Sequence, residues 1–228
     1  MPLPFKLGLI LIALLLLPVV VLVWRADSPH ALHHEPGAAP QVPVNWPLVI
    51  LFMLFFLTFV GAEGAYGGWI YTYAVATGIA APAVAAYMTS AYWGAFTFSR
   101  LASIPLSMRF RPRTLIIVDL IGCVIGLSLA VLGDGSTVMI WLATLLFGAS
   151  VATLFPLTMS FAAEVVTVTG QFTSLMFVGA SLGGMLIPWL IGQFFESAGP
   201  GSAMRIMLVD MLVCVVVFIL LNQMRRRS

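Results

Sequence analysis

Seven apolar stretches follow one another along this chain, at residues 5–24, 46–77, 83–108, 113–132, 138–162, 170–195 and 203–224. Each is on the scale of a bilayer crossing, which takes about 20 mostly apolar residues as a helix. In hydrocarbon every backbone N–H and C=O must find its partner inside the protein, so a run of this kind has to be helical. Only 8% of the residues are charged, against about 25% in a soluble domain. So few charges cannot cover a water-facing surface. The expected fold is an all-α membrane protein of about seven transmembrane helices, with the lipid bilayer as its first partner.

The first stretch, Leu7 to Trp24 after Lys6, is longer than the roughly 7–15 residues of a signal-peptide core. It runs into Arg25-Ala26-Asp27 without a small-x-small cleavage site, so a retained helix is expected. Residues 26–45 hold Pro29, Pro36, Pro40 and Pro43 and all three histidines, and read as an irregular linker. The expected division is therefore 1–25, a first helix; 26–45, the linker; and 46–228, a six-helix unit. His30, His33, His34 and Glu35 have no second ligand cluster to complete a metal site, so no metal or cofactor is expected. Cys123 and Cys214 lie inside apolar runs and read as buried small hydrophobes. With a net charge of +2 and its basic residues outside the spans, the chain is not expected to bind nucleic acid.

Arginines set the expected orientation. Arg109, Arg111 and Arg113 crowd the turn after the third span, Arg225, Arg226 and Arg227 follow the seventh, and Arg25 opens the linker. Alternating crossings put these three places on one side, which the positive-inside rule makes cytoplasmic. The N-terminus is then outside and the C-terminus inside, in what is expected to be the plasma membrane.

Within the spans, Glu63 is the most informative residue. A charged side chain at the bilayer centre costs roughly 2.5–3.5 kcal/mol on insertion scales and rarely faces lipid. It marks either a substrate, proton or sodium site in a water-filled cavity, or a carboxylate held by backbone freed by Gly64, Gly67 and Gly68. Those glycines also predict a bent or broken second helix. Tyr66, Trp69, Trp93 and Phe96 are the aromatic candidates for a solute path, since rings with a polar edge suit sugars; Tyr71, Tyr73 and Tyr87 read as an interfacial belt. Arg100 and Asp119 flank the basic turn at similar depth, roughly 10–15 Å in, and are expected to pair, as a brace or a gate. Arg205 is a candidate partner for Asp210. Glu164 is expected to be solvated, and Gln171 to enter the bundle. Gly179 with Gly183 and Gly122 with Gly126 have the four-residue spacing that lets membrane helices approach closely. Pro156 and Pro188 predict kinks.

The stretches from Val60 to Tyr73 and from Ser90 to Leu101, the turn Arg109-Phe110-Arg111-Pro112-Arg113, Phe155-Pro156-Leu157 and Gly170-Gln171 through Pro188 together resemble the C-terminal half of a major facilitator superfamily transporter. The likeness runs from about residue 46 to the end and is strongest to the fucose-permease-like branch that includes sodium-dependent glucose transporters. It implies that the first span matches the family's sixth helix, the linker its central cytoplasmic loop, and spans two to seven its last six helices. The spans with Glu63 and Pro156 would line the substrate path, and those with Asp119 and Asp210 would be peripheral. The acidic residue usual in the family's loop between helices eight and nine is not evident here, Ser107 or Met108 standing near its place.

The function expected on this basis is membrane transport: half of a secondary carrier for a sugar or other small polar solute, driven by H⁺ or Na⁺ symport through Glu63. Substrate in this family binds between two halves, so a complementary N-terminal half or a second copy is the expected partner. The alternative is a truncated, non-transporting fragment or subunit. A seven-helix photoreceptor is disfavoured because Lys6 is the sole lysine, and no nucleophile–base pair suggests an enzyme.

Overall fold

A computed structural model of the chain describes residues 45–133 and 135–225, together with Leu14, 16–18 and 20–25. Residues 26–44 of the linker with its histidines, Asp134, Arg226 and Arg227 lie outside the described residues. Two units separate at Pro43. In the first, Leu16–Arg25 is an apolar helix.

The second unit contains α1 (Trp46–Ala76), α2 (Pro82–Arg109), α3 (Pro112–Leu132), α4 (Thr137–Val151), α5 (Leu154–Ala163), α6 (Gly170–Phe195) and α7 (Ser202–Arg225). No strand occurs among the described residues. Local chemistry fixes the starts. Pro47, Pro82 and Pro112 stand in the first turns of α1, α2 and α3, where their missing N–H is no loss. The Asn45, Ser136 and Thr169 side chains accept the N–H groups of Leu48, Met139 and Phe172 at 3.4, 3.4 and 3.2 Å, capping α1, α4 and α6. Gly135 and Gly199 turn the chain with φ of 85° and 80°, a region other residues avoid.

Five passes are long and apolar enough to cross a membrane: α1, α3, the α4–α5 pair over Thr137–Ala163, α6 and α7. The remaining helix, α2, spans 28 residues but is more polar, carrying Ser90, Thr97, Ser99 and Arg100. It packs against α1 and α4. The chain is thus an all-α membrane protein.

Two helices differ from expectation. The second stretch is one continuous helix of 31 residues, unbroken by its glycines. Its length and central position explain this: α1 packs against α2, α6 and α7, and tertiary burial outweighs the roughly 1 kcal/mol that each glycine costs. The fifth stretch, by contrast, is interrupted at Ala152–Thr153. Pro156 has no N–H for the carbonyl four residues back, which is Ala152, and its ring crowds that same carbonyl. Pro188 and Pro105 sit inside continuous helices.

The expected glycine packing is present. A Cβ on Gly183 would strike the Leu57 carbonyl of α1, and one on Gly179 the Met53 carbonyl. On α3, a Cβ at Gly126 would lie 3.0 Å from the Phe147 backbone nitrogen, so α3 and α4 also touch backbone to backbone. Rings fill the centre where α1, α5, α6 and α7 meet: Phe52 stands edge-on to Phe172 with centroids 5.6 Å apart, and Phe55 and Phe161 both reach Phe218. Glu164 is exposed, as expected. It pairs with Arg225 at 3.5 Å, tying the end of α5 to the end of α7.

Candidate functional site

At 1.5 Å per residue, Glu63 lies roughly 20–25 Å from either end of α1, near the middle of the span. It is half-buried. The α1 surface beside it is bare: Gly64 and Gly68 are exposed, and a Cβ on either would meet nothing within 4 Å. Gly67 is different. Its missing side chain is filled by α2, because a Cβ there would stand 2.7 Å from the Trp93 indole and 3.1 Å from the Tyr92 ring. The contact is fixed further by the Tyr92 hydroxyl, which donates to the backbone carbonyl of Glu63 at 2.9 Å.

Along α2 the side chains then form a ladder. Trp93, 43% exposed, meets Phe96 edge-on at 5.3 Å, and the Arg100 guanidinium lies over the Phe96 ring at 4.4 Å, a favourable cation–π distance. No ion pair joins Arg100 to Glu63 among the described residues. The site is therefore a mid-span carboxylate beside a strip of open glycine backbone, with an indole on one flank and a cation further along.

The expected Arg100–Asp119 ion pair is not formed. Instead, Arg100 Nε donates to the Ala152 carbonyl at 3.0 Å, the group that Pro156 leaves without its helical donor. Asp119 accepts the Thr153 hydroxyl. Two charged residues from α2 and α3 thus grip consecutive residues of the break between α4 and α5. Similar depth, which suggested pairing, brought both to the same break rather than to each other.

Other expectations also shift. Tyr66 does not line a path: it is fully buried, 4.8 Å from the Phe147 ring. Its hydroxyl lies 3.0 Å from Thr144 Oγ1. The Thr144 proton goes to the Ile140 carbonyl at 2.7 Å, so Tyr66 is the donor of that bond. Trp69 packs on Phe195 with centroids 4.9 Å apart, joining α1 to α6. Gln171 does not enter the bundle; it is exposed in the first turn of α6. Arg205 is not the partner of Asp210. It donates back to the Gly201 and Ala198 carbonyls at 3.2 and 3.4 Å, while Asp210 is buried with Oδ2 lacking a hydrogen bond. Ala152, Thr153 and Thr144 were not singled out from sequence. Pro156 was the available signal for Ala152, since a proline always strips the carbonyl four residues back.

The described residues from Asn45 onward thus form an all-α membrane bundle with a half-buried carboxylate and exposed glycine backbone at the middle of α1. The family model of the Major Facilitator Superfamily matches residues 3–188, and the chain belongs to that superfamily. The match takes in the first apolar stretch and the linker as well as the helices from residue 46 to residue 188, and stops short of α7. The chain is 37% identical over 147 residues to sodium-dependent glucose transporter 1 of Xenopus laevis, covering 64% of this chain and 30% of that protein. It is 35% identical over 167 residues to sodium-dependent glucose transporter 1A of Mus musculus, covering 72% and 39%. To major facilitator superfamily domain-containing protein 4A of Danio rerio it is 33% identical over 143 residues, covering 62% and 27%. The matched region thus spans between about a quarter and two fifths of these curated relatives.

Proposed function

We propose that this chain forms the C-terminal half of a secondary carrier for a sugar or similar small polar solute, with Glu63 as its ion- or solute-binding carboxylate. The observation that carries this is the open strip of α1: a mid-span carboxylate beside Gly64 and Gly68, whose backbone a ligand can approach closely, flanked by the exposed Trp93 ring. An indole face suits the apolar face of a sugar, and a carboxylate in a membrane belongs to a water-filled path. The relatives named as sodium-dependent glucose transporters favour glucose-like solutes and Na⁺; a proton is the other ion a carboxylate can carry. In this reading residues 1–25 correspond to the sixth helix of the family, 26–45 to the central loop and 46–228 to the last six helices. The C-terminus faces the cytoplasm across a plasma membrane. A complementary six-helix half, or a second copy, supplies the other wall.

The test is gradient-driven uptake of labelled glucose into liposomes holding this chain with a complementary N-terminal half. Glu63→Gln removes the charge and keeps the shape. Uptake is expected to fall by about tenfold or more, equivalent to about 1.4 kcal/mol, and to lose its dependence on the ion gradient. Undiminished, gradient-dependent uptake by Glu63→Gln would overturn the assignment.

A further inference from the structure

At the basic end of the bundle, the start of α3 and the last turns of α7 enclose a pocket of about 190 Å³ lined by Arg113, Ile219, Asn222 and Gln223. Two of its lining residues each hold a buried polar atom without a hydrogen-bond partner, Arg113 Nε and Asn222 Oδ1. A buried polar group without a partner is costly, so both of these lining residues gain from a polar guest brought within their reach. The volume exceeds the roughly 30 Å³ that a water takes up several times over. Arg113 Nε can only donate. The oxygen and nitrogen of an Asn amide exchange by a simple flip, so Asn222 can present N–H as well, and Gln223 has the same choice. A guest that only accepts satisfies all three.

The surroundings say what bears that acceptor. Ile219, 48% exposed, lines the pocket one turn deeper than Asn222. Deeper still, α7 continues with Val216 and Leu212, and α3 with Ile117 and Ile121, all exposed. The pocket therefore has donors at the membrane edge and an apolar wall running toward the bilayer centre, which is the layout of a lipid. Arg109 and Arg111, in the turn that leads to Arg113, add positive charge. The nearby carboxylate, Glu164, is engaged by Arg225.

We propose that this pocket binds the phosphate of an anionic lipid headgroup, with Arg113 as its charged donor, Asn222 and Gln223 as amide donors, and Ile219 against the acyl chain. Basic pockets between membrane helices are suited to such headgroups. Arginine fits better than lysine because its planar fork offers paired N–H donors.

The purified chain can be examined by native mass spectrometry after exchange into defined phosphatidylglycerol–phosphatidylcholine mixtures. The expected result is one retained phosphatidylglycerol, favoured about tenfold over phosphatidylcholine, as one charge-assisted hydrogen bond of about 1.5–3 kcal/mol allows. Arg113→Gln and, more weakly, Arg113→Lys should lose that preference, whereas Arg111→Gln in the adjoining turn keeps it. Circular dichroism of each variant checks that the helices remain. Equal retention of both lipids, or equal losses from Arg113→Gln and Arg111→Gln, would overturn the proposal in favour of diffuse surface charge. Displacement of the lipid by millimolar glycerol phosphate would also overturn it, by assigning the pocket to a soluble phosphate.

Discussion

The lower and upper halves of α1 carry glycines on nearly the same stripe, yet the two halves meet different surroundings. Gly61, Gly64 and Gly68 lie within about 60° of one another around the helix, at 100° per residue. A Cβ at Gly61 would stand 2.5 Å from Ile187 and 3.0 Å from the Gly183 carbonyl of α6. At Gly64 and Gly68 it would meet nothing. The neighbouring helix therefore leaves the stripe just past Gly61, and it is at this level that Glu63 and Trp93 stand. The same residue type is covered by a neighbour in one half and left open in the other; only the presence of α6 distinguishes them.

The comparison can be broken most sharply from its closed half. Gly183→Val puts a branched side chain against the Leu57 carbonyl. Overpacking of this kind costs about 1–3 kcal/mol or more, so the largest drop in unfolding temperature in detergent is expected here, while Gly184→Val, whose Cβ position is open, should change it little. Next comes the clasp on the broken span. Arg100→Leu leaves the Ala152 carbonyl without its donor, and a loss of about 1–3 kcal/mol is expected. Arg100→Lys should recover part of it by keeping one donor. Pro156→Ala restores an N–H at residue 156, and in that background Arg100→Leu should cost measurably less, a double-mutant test of whether the proline and the arginine act on one carbonyl. Smallest in stability is the open half: Gly64→Ala or Gly68→Ala should be neutral or stabilise by about 0.5–1 kcal/mol through helix propensity, while lowering solute uptake by filling the strip. Loss of stability in these two would place them against a neighbour after all.

The spans were legible in the sequence because hydrophobic length and proline starts are local. The expected 83–108, 113–132 and 170–195 correspond to Pro82–Arg109, Pro112–Leu132 and Gly170–Phe195. Depth was legible too, which is why Arg100 and Asp119 were drawn to one level. Azimuth was not. Tyr66, two residues from Gly64, falls on the far side of α1 and is sealed by Phe147 and Thr144, although its sequence neighbourhood looks the same as that of Glu63. The grip of Arg100 on Ala152 was hidden for another reason: its acceptor is a backbone atom, which no residue name advertises. Gln171 was misplaced because a polar residue at a helix start reads equally well as inward or as exposed.

Thiol accessibility tests most directly whether the open half of α1 lines a solute path or merely faces lipid. With a complementary half present in membrane vesicles, Gly61→Cys, Gly64→Cys and Gly68→Cys can be exposed to a membrane-impermeant, water-soluble thiol reagent; the native Cys123 and Cys214 are buried. Rapid labelling at positions 64 and 68, slowed by added substrate, with position 61 unreactive, is the predicted result. Unreactive cysteines at both 64 and 68 would put the strip in contact with hydrocarbon and contradict the proposed path.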